Sequence, residues 1–241
     1  MAFTNTYEDG AYAAAYAALQ FPGTYYLAYR DLPAIFAAHV NGRRALDFGC
    51  GAGRSTRFLR QHGYDAVGVD ISESMIRQAR QIDPGGDYRL IEDGDFSGFD
   101  AGSFDLVLSV FTFDNVPTMA RKVALFSRLA RLLGPDGCLV NVVSSPDMYT
   151  HEWVSISTKD FPENLHAGPG DAVRTVITAI GDSRPVDDIL WPDESYRDVF
   201  ARTGLEVVET CRPLGREDEP VRWVSETSVA PWVIYVLKRA G

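Results

Sequence analysis

Several large protein classes are marked by features that this chain lacks. Across its 241 residues no stretch of about 18 apolar residues occurs, so no membrane-spanning helix is expected. No run of Lys or Arg occurs either, and 33 acidic residues face 23 basic ones, for a net charge of −10. Nucleic acids and anionic membranes are bound largely through Lys and Arg, so neither is an expected partner. There are only three cysteines, Cys50, Cys138 and Cys211, an odd number whose spacing fits no metal pattern. No metal is expected. Cys50 and Cys138 fall in segments that read as core, where a free thiol behaves as a small hydrophobe and suits a reducing compartment. The opening run MAFTNTYEDG has no basic start and no apolar stretch, so no signal peptide and a cytoplasmic location are expected. Internal repeats and low-complexity tracts are also missing.

What is present is an ordinary globular composition, 46% hydrophobic and 23% charged. The length suits one elaborated α/β domain. Helices are expected at Ala11–Leu19 and at Tyr25–Val40, the latter with Pro33 near an early turn or a kink. Strands and helices then alternate. A strand at Arg43–Phe48 leads into a helix at Thr56–His62, and a strand at Ala66–Asp70 into a helix at Ser72–Gln81. A strand at Tyr88–Ile91 is followed by the acidic loop Glu92-Asp93-Gly94-Asp95. The continuously apolar Phe104–Val110 reads as a central parallel strand, before a helix at Met119–Leu133 and a strand at Cys138–Val143. Strand and helix thus alternate five times, which predicts a doubly wound parallel sheet. Residues 146–190 change character, with many Gly, Pro, Asp and Thr around short alternating runs, and read as an insertion of short strands and loops. A helix at Asp193–Thr203 and strands at Leu205–Thr210 and Trp232–Leu237 close the chain.

The chemistry concentrates in Leu46-Asp47-Phe48-Gly49-Cys50-Gly51-Ala52-Gly53, which follows a strand and opens a helix. Glycines at alternate positions let backbone approach a ligand with no Cβ in the way. In open parallel sheets, ligands bind beyond the carboxyl ends of the strands. Asp70 ends the next strand, seventeen positions after Gly53, where a carboxylate can accept from ribose hydroxyls. Nicotinamide dehydrogenases share a glycine turn with a downstream acid. Their fingerprint, however, spaces the last glycine three beyond the second, and here the gap is two, with Arg54 next. Asp47, ahead of the glycines, also suits a cationic amino group rather than a pyrophosphate.

With its glycine loop LDFGCGAGR, followed by VGVDIS, GDF, FDLVLSV and LLGPDGCLVNVV, the chain resembles the class I S-adenosylmethionine-dependent methyltransferases, strongly over residues 45–143 and more loosely beyond. The resemblance implies a Rossmann-like, mostly parallel seven-stranded sheet. It also implies S-adenosylmethionine as cofactor, S-adenosylhomocysteine as product, and a small-molecule acceptor. By the same resemblance Gly49, Gly51 and Gly53 would cradle the methionine end of the cofactor, with Asp47 orienting the loop. Asp70 would hold the ribose and Ile71 would pack on the adenine. Asp95 would accept from its amino group, with Phe96 alongside. Ser109 and Phe111 would lie near the sulfonium. Ile71 and Phe111 also read as core residues, and Asp95 as a turn residue. No Asn-Pro-Pro-aromatic run follows the fourth strand; Phe113-Asp114-Asn115-Val116-Pro117 stands there, which speaks against methylation of amino groups on bases or glutamine.

One domain over 1–241 is expected: a helical cap (1–40), a cofactor core (41–145), a substrate-cap insertion (146–191) and a closing helix and strand pair (192–241). The acceptor pocket would be built from Phe21–Arg30, Phe111–Pro117 and Pro146–Trp191. Methyl transfer from a sulfonium needs mainly alignment and exclusion of water, and a base only where the nucleophile must lose a proton. His151 is the first candidate base, or else a surface or hydrogen-bonded structural histidine; Asp114 is the second, or else a loop or cap residue before the helix. Tyr25 and Tyr26 would close the site or bind the cofactor, or else pack within a helix. Trp191, Trp223 and Trp232 read as core or edge packing, and an edge strand near Trp232 leaves monomer and homodimer both open. A methyltransferase for RNA or protein, and a non-methylating cofactor-binding protein, are the alternatives.

Overall fold

The computed structural model describes residues 23–241, so the helix expected at Ala11–Leu19 lies outside the described residues. The stretch expected as one helix from Tyr25 is two, α1 (Thr24–Arg30) and α2 (Leu32–His39). Pro33 sits in the first turn of α2, where its missing N–H costs nothing. The chain continues through β1 (Arg44–Phe48), α3 (Arg54–Gln61), β2 (Asp65–Asp70), α4 (Glu73–Ile82), β3 (Asp87–Leu90) and β4 (Phe104–Val110). No helix joins β3 to β4; turns span that crossover. Then follow α5 (Met119–Leu132), β5 (Leu133–Ser144), the short strands β6 (Ile156–Ser157), β7 (Ala172–Ile177) and β8 (Val186–Ile189), α6 (Asp193–Arg202), β9 (Leu205–Cys211) and β10 (Trp232–Arg239). Among the described residues no helix is long and apolar enough to cross a membrane.

Seven strands form one sheet in the order β3-β2-β1-β4-β5-β10-β9, parallel except for β10, which runs antiparallel to both its neighbours. β10 is therefore interior, and the edge strand expected at Trp232 is β9 instead. Its Val233–Leu237 run is fully buried because both of its edges are paired and both faces are covered. β6, β7 and β8 form a separate antiparallel three-stranded sheet, in the stretch expected to hold short strands.

Alternation along the strands divides the core. Leu106, Leu108, Val140 and Val142 pack with Leu27 of α1, Leu32 and Phe36 of α2, and Phe58 of α3. Val107 and Leu139 pack on the other face with Phe126 and Leu129 of α5 and Phe200 of α6. Two apolar faces sandwiching the parallel strands leave the carboxyl edge as the place where strands stop and polar groups gather. Ser72 caps α4 as expected, its Oγ accepting from Met75 N.

Candidate active site

The turn after β1 starts the site. Gly49 N and Cys50 N both donate to Val69 O at the end of β2, at 2.9 and 3.0 Å. Gly49, Gly51 and Gly53 all have positive φ, and α3 begins at once behind them. They are not equivalent. A Cβ on Gly49 would stand 2.1 Å from Thr112 Oγ1, and one on Gly53 2.5 Å from the Tyr88 ring. A Cβ on Gly51 would meet nothing nearer than Met75 Sδ at 4.0 Å. Gly51 therefore faces open space, as a backbone that cradles a ligand must.

Asp47 lies fully buried beneath this loop. Its Oδ2 accepts from Ser55 Oγ and Thr56 Oγ1, both at 2.6 Å, while Oδ1 is buried without a partner. Burial pushes its pKa up to about 6, the two hydroxyls pull it down, and Asp70 adds repulsion. Asp70 closes the loop from the other side: Oδ2 accepts from Gly51 N and Oδ1 from Ser72 N, each at 2.8 Å. Each carboxylate oxygen keeps further lone pairs for a ribose. Ile71 follows with 48% of its surface exposed, an apolar side chain left free at the carboxyl edge. These features fit the methionine, ribose and adenine parts of S-adenosylmethionine in turn. A first pocket lies here, lined by Gly49, Gly51, Arg54, Ser55, Val110 and Phe111. Arg54, which the sequence reading did not single out, also lines it, 5.5 Å from the Tyr25 ring centre.

Other positions stand differently. Asp95 is exposed and accepts from Ser97 N at 2.9 Å, the turn bond its alternative reading required, which holds its pKa down. Phe96 is core, against Phe48. Ser109 is fully buried opposite Asn141 in the β4–β5 register. By strand alternation it points to the α5 face, away from Val110 and the pocket.

A second pocket adjoins the first through Phe111, which lines both. Phe111 has φ 64°, a left-handed backbone that a bulky side chain rarely adopts and that tends to mark functional sites. Its N–H is held by Val142 O at 2.8 Å, and Thr112 next to it donates to Phe48 O at 2.9 Å, fastening the exit of β4 to the glycine turn. Tyr25 meets Phe111 edge-on with ring centres 5.7 Å apart, and Trp232 lies 4.5 Å from Phe111. These three rings wall the pocket. Trp232, expected only to pack, anchors that wall by donating from Nε1 to Thr24 O at 2.8 Å. Tyr26, one position on, is 36% exposed and turned away.

Asp114 also lines this pocket, but its carboxylate is engaged: Ser144 donates from N at 3.0 Å and from Oγ at 2.9 Å. His151 is not among the pocket's lining residues. Its Nδ1 lies 3.1 Å from both Asp147 O and Thr150 Oγ1, and its ring leans on Trp153. In the run Tyr149–Trp153 the aromatic residues take the buried positions and leave the histidine outside. Sequence reasoning missed Asp188 on β8, which shares the pocket face with Val186. A charge at an inward position of an alternating strand was the available signal.

The chain is similar to known methyltransferases in sequence and in fold. Residues 46–141 match the family model for a methyltransferase domain. A ubiquinone biosynthesis O-methyltransferase of Methylococcus capsulatus is 36% identical over 100 residues, covering 39% of this chain and 42% of that protein. A trans-aconitate 2-methyltransferase of Variovorax paradoxus is 27% identical over 193 residues, covering 79% and 70%. A methyltransferase structure from Clostridium acetobutylicum superposes with TM-score 0.63 at 11% identity, covering 98% of this chain and 100% of that one. One from Mesorhizobium loti gives 0.61 at 20% identity, covering 87% and 97%. Over residues 46–141 the chain is thus similar to a methyltransferase domain, and it shares the overall fold of these methyltransferase structures. It spans less than two thirds of the length of the ubiquinone-type relatives it matches, from 35% to 60%.

Proposed function

We propose that this protein transfers the methyl group of S-adenosylmethionine to a small molecule held in the aromatic pocket. The observation that supports this most is the shared wall: Phe111 borders both the glycine-loop pocket and the pocket beyond it, so a donor in one faces an acceptor in the other. The bound donor supplies a methyl group already activated on a sulfonium. The chain's own residues bind, orient and exclude water. Gly51 and Asp70 would hold the loop around the donor, Asp47 would brace that loop from beneath through Ser55 and Thr56, Arg54 would meet the donor's carboxylate end, and Tyr25, Phe111 and Trp232 would shut out solvent. The acceptor side is narrow and enclosed by the segment from Ser144 to Asp188, which suits a small molecule rather than an RNA or a protein chain. The relatives' names, a ubiquinone biosynthesis O-methyltransferase and a trans-aconitate 2-methyltransferase, also suit a small-molecule acceptor.

Calorimetric titration with S-adenosylhomocysteine tests this directly. Micromolar binding that collapses in Asp70→Ala is expected. No binding to the wild-type protein would overturn the proposal, because the loop geometry would then serve some other ligand.

A further inference from the structure

The ionisable groups at the acceptor pocket carry one sign. Among the described residues Asp114 and Asp188 line it beside Asn115, Ser144 and Thr175, and no Lys or Arg does. Asp114 is occupied by Ser144. Asp188 has weaker ties, Asn115 Nδ2 at 3.4 Å on Oδ1 and Tyr149 OH at 3.3 Å on Oδ2, both near the outer limit of a hydrogen bond. It is partly exposed, and its free side is the pocket.

The cation nearest this pair sits behind the pocket and is committed elsewhere. Lys122 Nζ donates to Phe113 O, lies 3.4 Å from Tyr196 OH, and faces the rings of Phe113, Trp191 and Tyr196. One buried ammonium thus stands against two carboxyl groups. Resting on the reading of this pocket as the acceptor site, we propose that Asp188 anchors the basic nitrogen of the acceptor, an amine that enters as its ammonium ion between Tyr25, Phe111 and Trp232.

Three physical points converge on this. A carboxylate facing a largely apolar pocket is costly when the one ammonium near it is held by other groups, and an incoming ammonium supplies a closer counter-charge. Aromatic faces attract such a cation. An acidic acceptor, of the kind named for the Variovorax relative, would instead meet two carboxyl groups of its own sign. Burial, repulsion from Asp114 and, more weakly, from Asp187 push Asp188 up to about 8, while Tyr149 and Lys122 pull it back. A carboxylate of that basicity suits accepting a proton from an ammonium. The proton passes to an Asp188 oxygen, the N–H electron pair stays on nitrogen, and a neutral amine is left facing Phe111.

The test uses the full chain saturated with S-adenosylhomocysteine, titrated with benzylamine, benzyl alcohol and benzoate, which share one ring and differ in charge. Benzylamine should bind at least about tenfold more tightly than either of the others. Its affinity should rise between about pH 6 and about pH 8 as Asp188 ionises. Asp188→Asn should keep the affinity for S-adenosylhomocysteine, which also reports that it folds, and lose at least about tenfold for benzylamine together with its pH dependence. Absence of benzylamine binding, equal or tighter binding of benzoate or benzyl alcohol, or an unchanged Asp188→Asn would overturn the inference while leaving methyl transfer standing. Failure of the wild-type protein to bind S-adenosylhomocysteine would instead overturn the methyl-transfer reading, and this inference with it.

Discussion

Thr24 and Glu226 stand 202 positions apart in the chain and are joined by a 2.7 Å hydrogen bond from Thr24 Oγ1 to Glu226 Oε1, with neither residue exposed. Glu226 Oε1 also accepts from Val154 N at 2.9 Å, and Oε2 from Val224 N at 2.8 Å. One carboxyl group therefore ties together α1, the approach to β6 and the loop before β10. Those are the segments that carry Tyr25, Ile156 and Trp232 into the acceptor pocket. Replacing it by Glu226→Gln turns an acceptor oxygen into a donor facing other donors. The expected cost is about 1–3 kcal/mol, which corresponds to a melting temperature several degrees lower for a chain of this size. Thermal unfolding checks this, and S-adenosylhomocysteine affinity at a temperature where the variant is folded should be nearly unchanged.

Asp70→Ala removes the acceptor for both Gly51 N and Ser72 N, and with it the proposed ribose anchor. Affinity for S-adenosylhomocysteine should fall at least about tenfold, roughly 1.4 kcal/mol. Titration calorimetry reads the change, and an unaltered dissociation constant would remove Asp70 from the cofactor site.

The glycines of the loop should separate by role. In Gly49→Ala the new methyl collides with Thr112, so stability should fall, by about 2 kcal/mol or more given the left-handed backbone. In Gly51→Ala no protein atom is in the way, so the loss of stability should be limited to the backbone cost of about 1–2 kcal/mol. Cofactor affinity should fall more steeply in Gly51→Ala than in Gly49→Ala. Parallel melting and binding curves on the two variants decide it.

Stability should decline as pH rises from about 4 to about 7. Asp47 and Asp114 are raised to about 6 and Asp188 to about 8, chiefly by burial, so over that range the native state holds protons that the unfolded chain has released. Lys122, lowered to about 7 by burial, works the other way: above that pH the unfolded chain binds the extra proton and stability regains slope. Asp188→Asn should flatten the decline and leave the protein more stable than wild type near pH 8. Melting curves across this range measure both effects.

The cofactor half of the site was legible because its information is local. Asp47 through Gly53 lie on one strand, one turn and one helix start, and Asp70 ends the neighbouring strand, so short-range spacing alone placed them together. The acceptor half depends on residues at positions 25, 111, 188 and 232, which only the sheet order and the packing of the small sheet bring together. Nothing near Trp232 in sequence marks it as a pocket wall. Its position follows from β10 running antiparallel between β5 and β9, where an edge strand had been expected. His151 drew attention through its neighbours Tyr149 and Trp153, yet their burial is what turns it outward. The left-handed backbone of Phe111 has no sequence signal, since glycine is the residue that normally announces it.

The three short strands that wall the acceptor pocket hydrogen-bond in a ladder separate from the seven-stranded sheet. The stretch matched by the methyltransferase family model stops at Asn141, within β5 and ahead of all three. Wall and floor are thus separable parts, joined by side chains such as Thr24 and Glu226 rather than by a shared ladder. A lineage built this way can vary one wall without disturbing the rest: substitutions in β6, β7 and β8 would reshape that side of the pocket, while Tyr25 and Phe111 and the glycine turn, all ahead of Asn141, stay as they are.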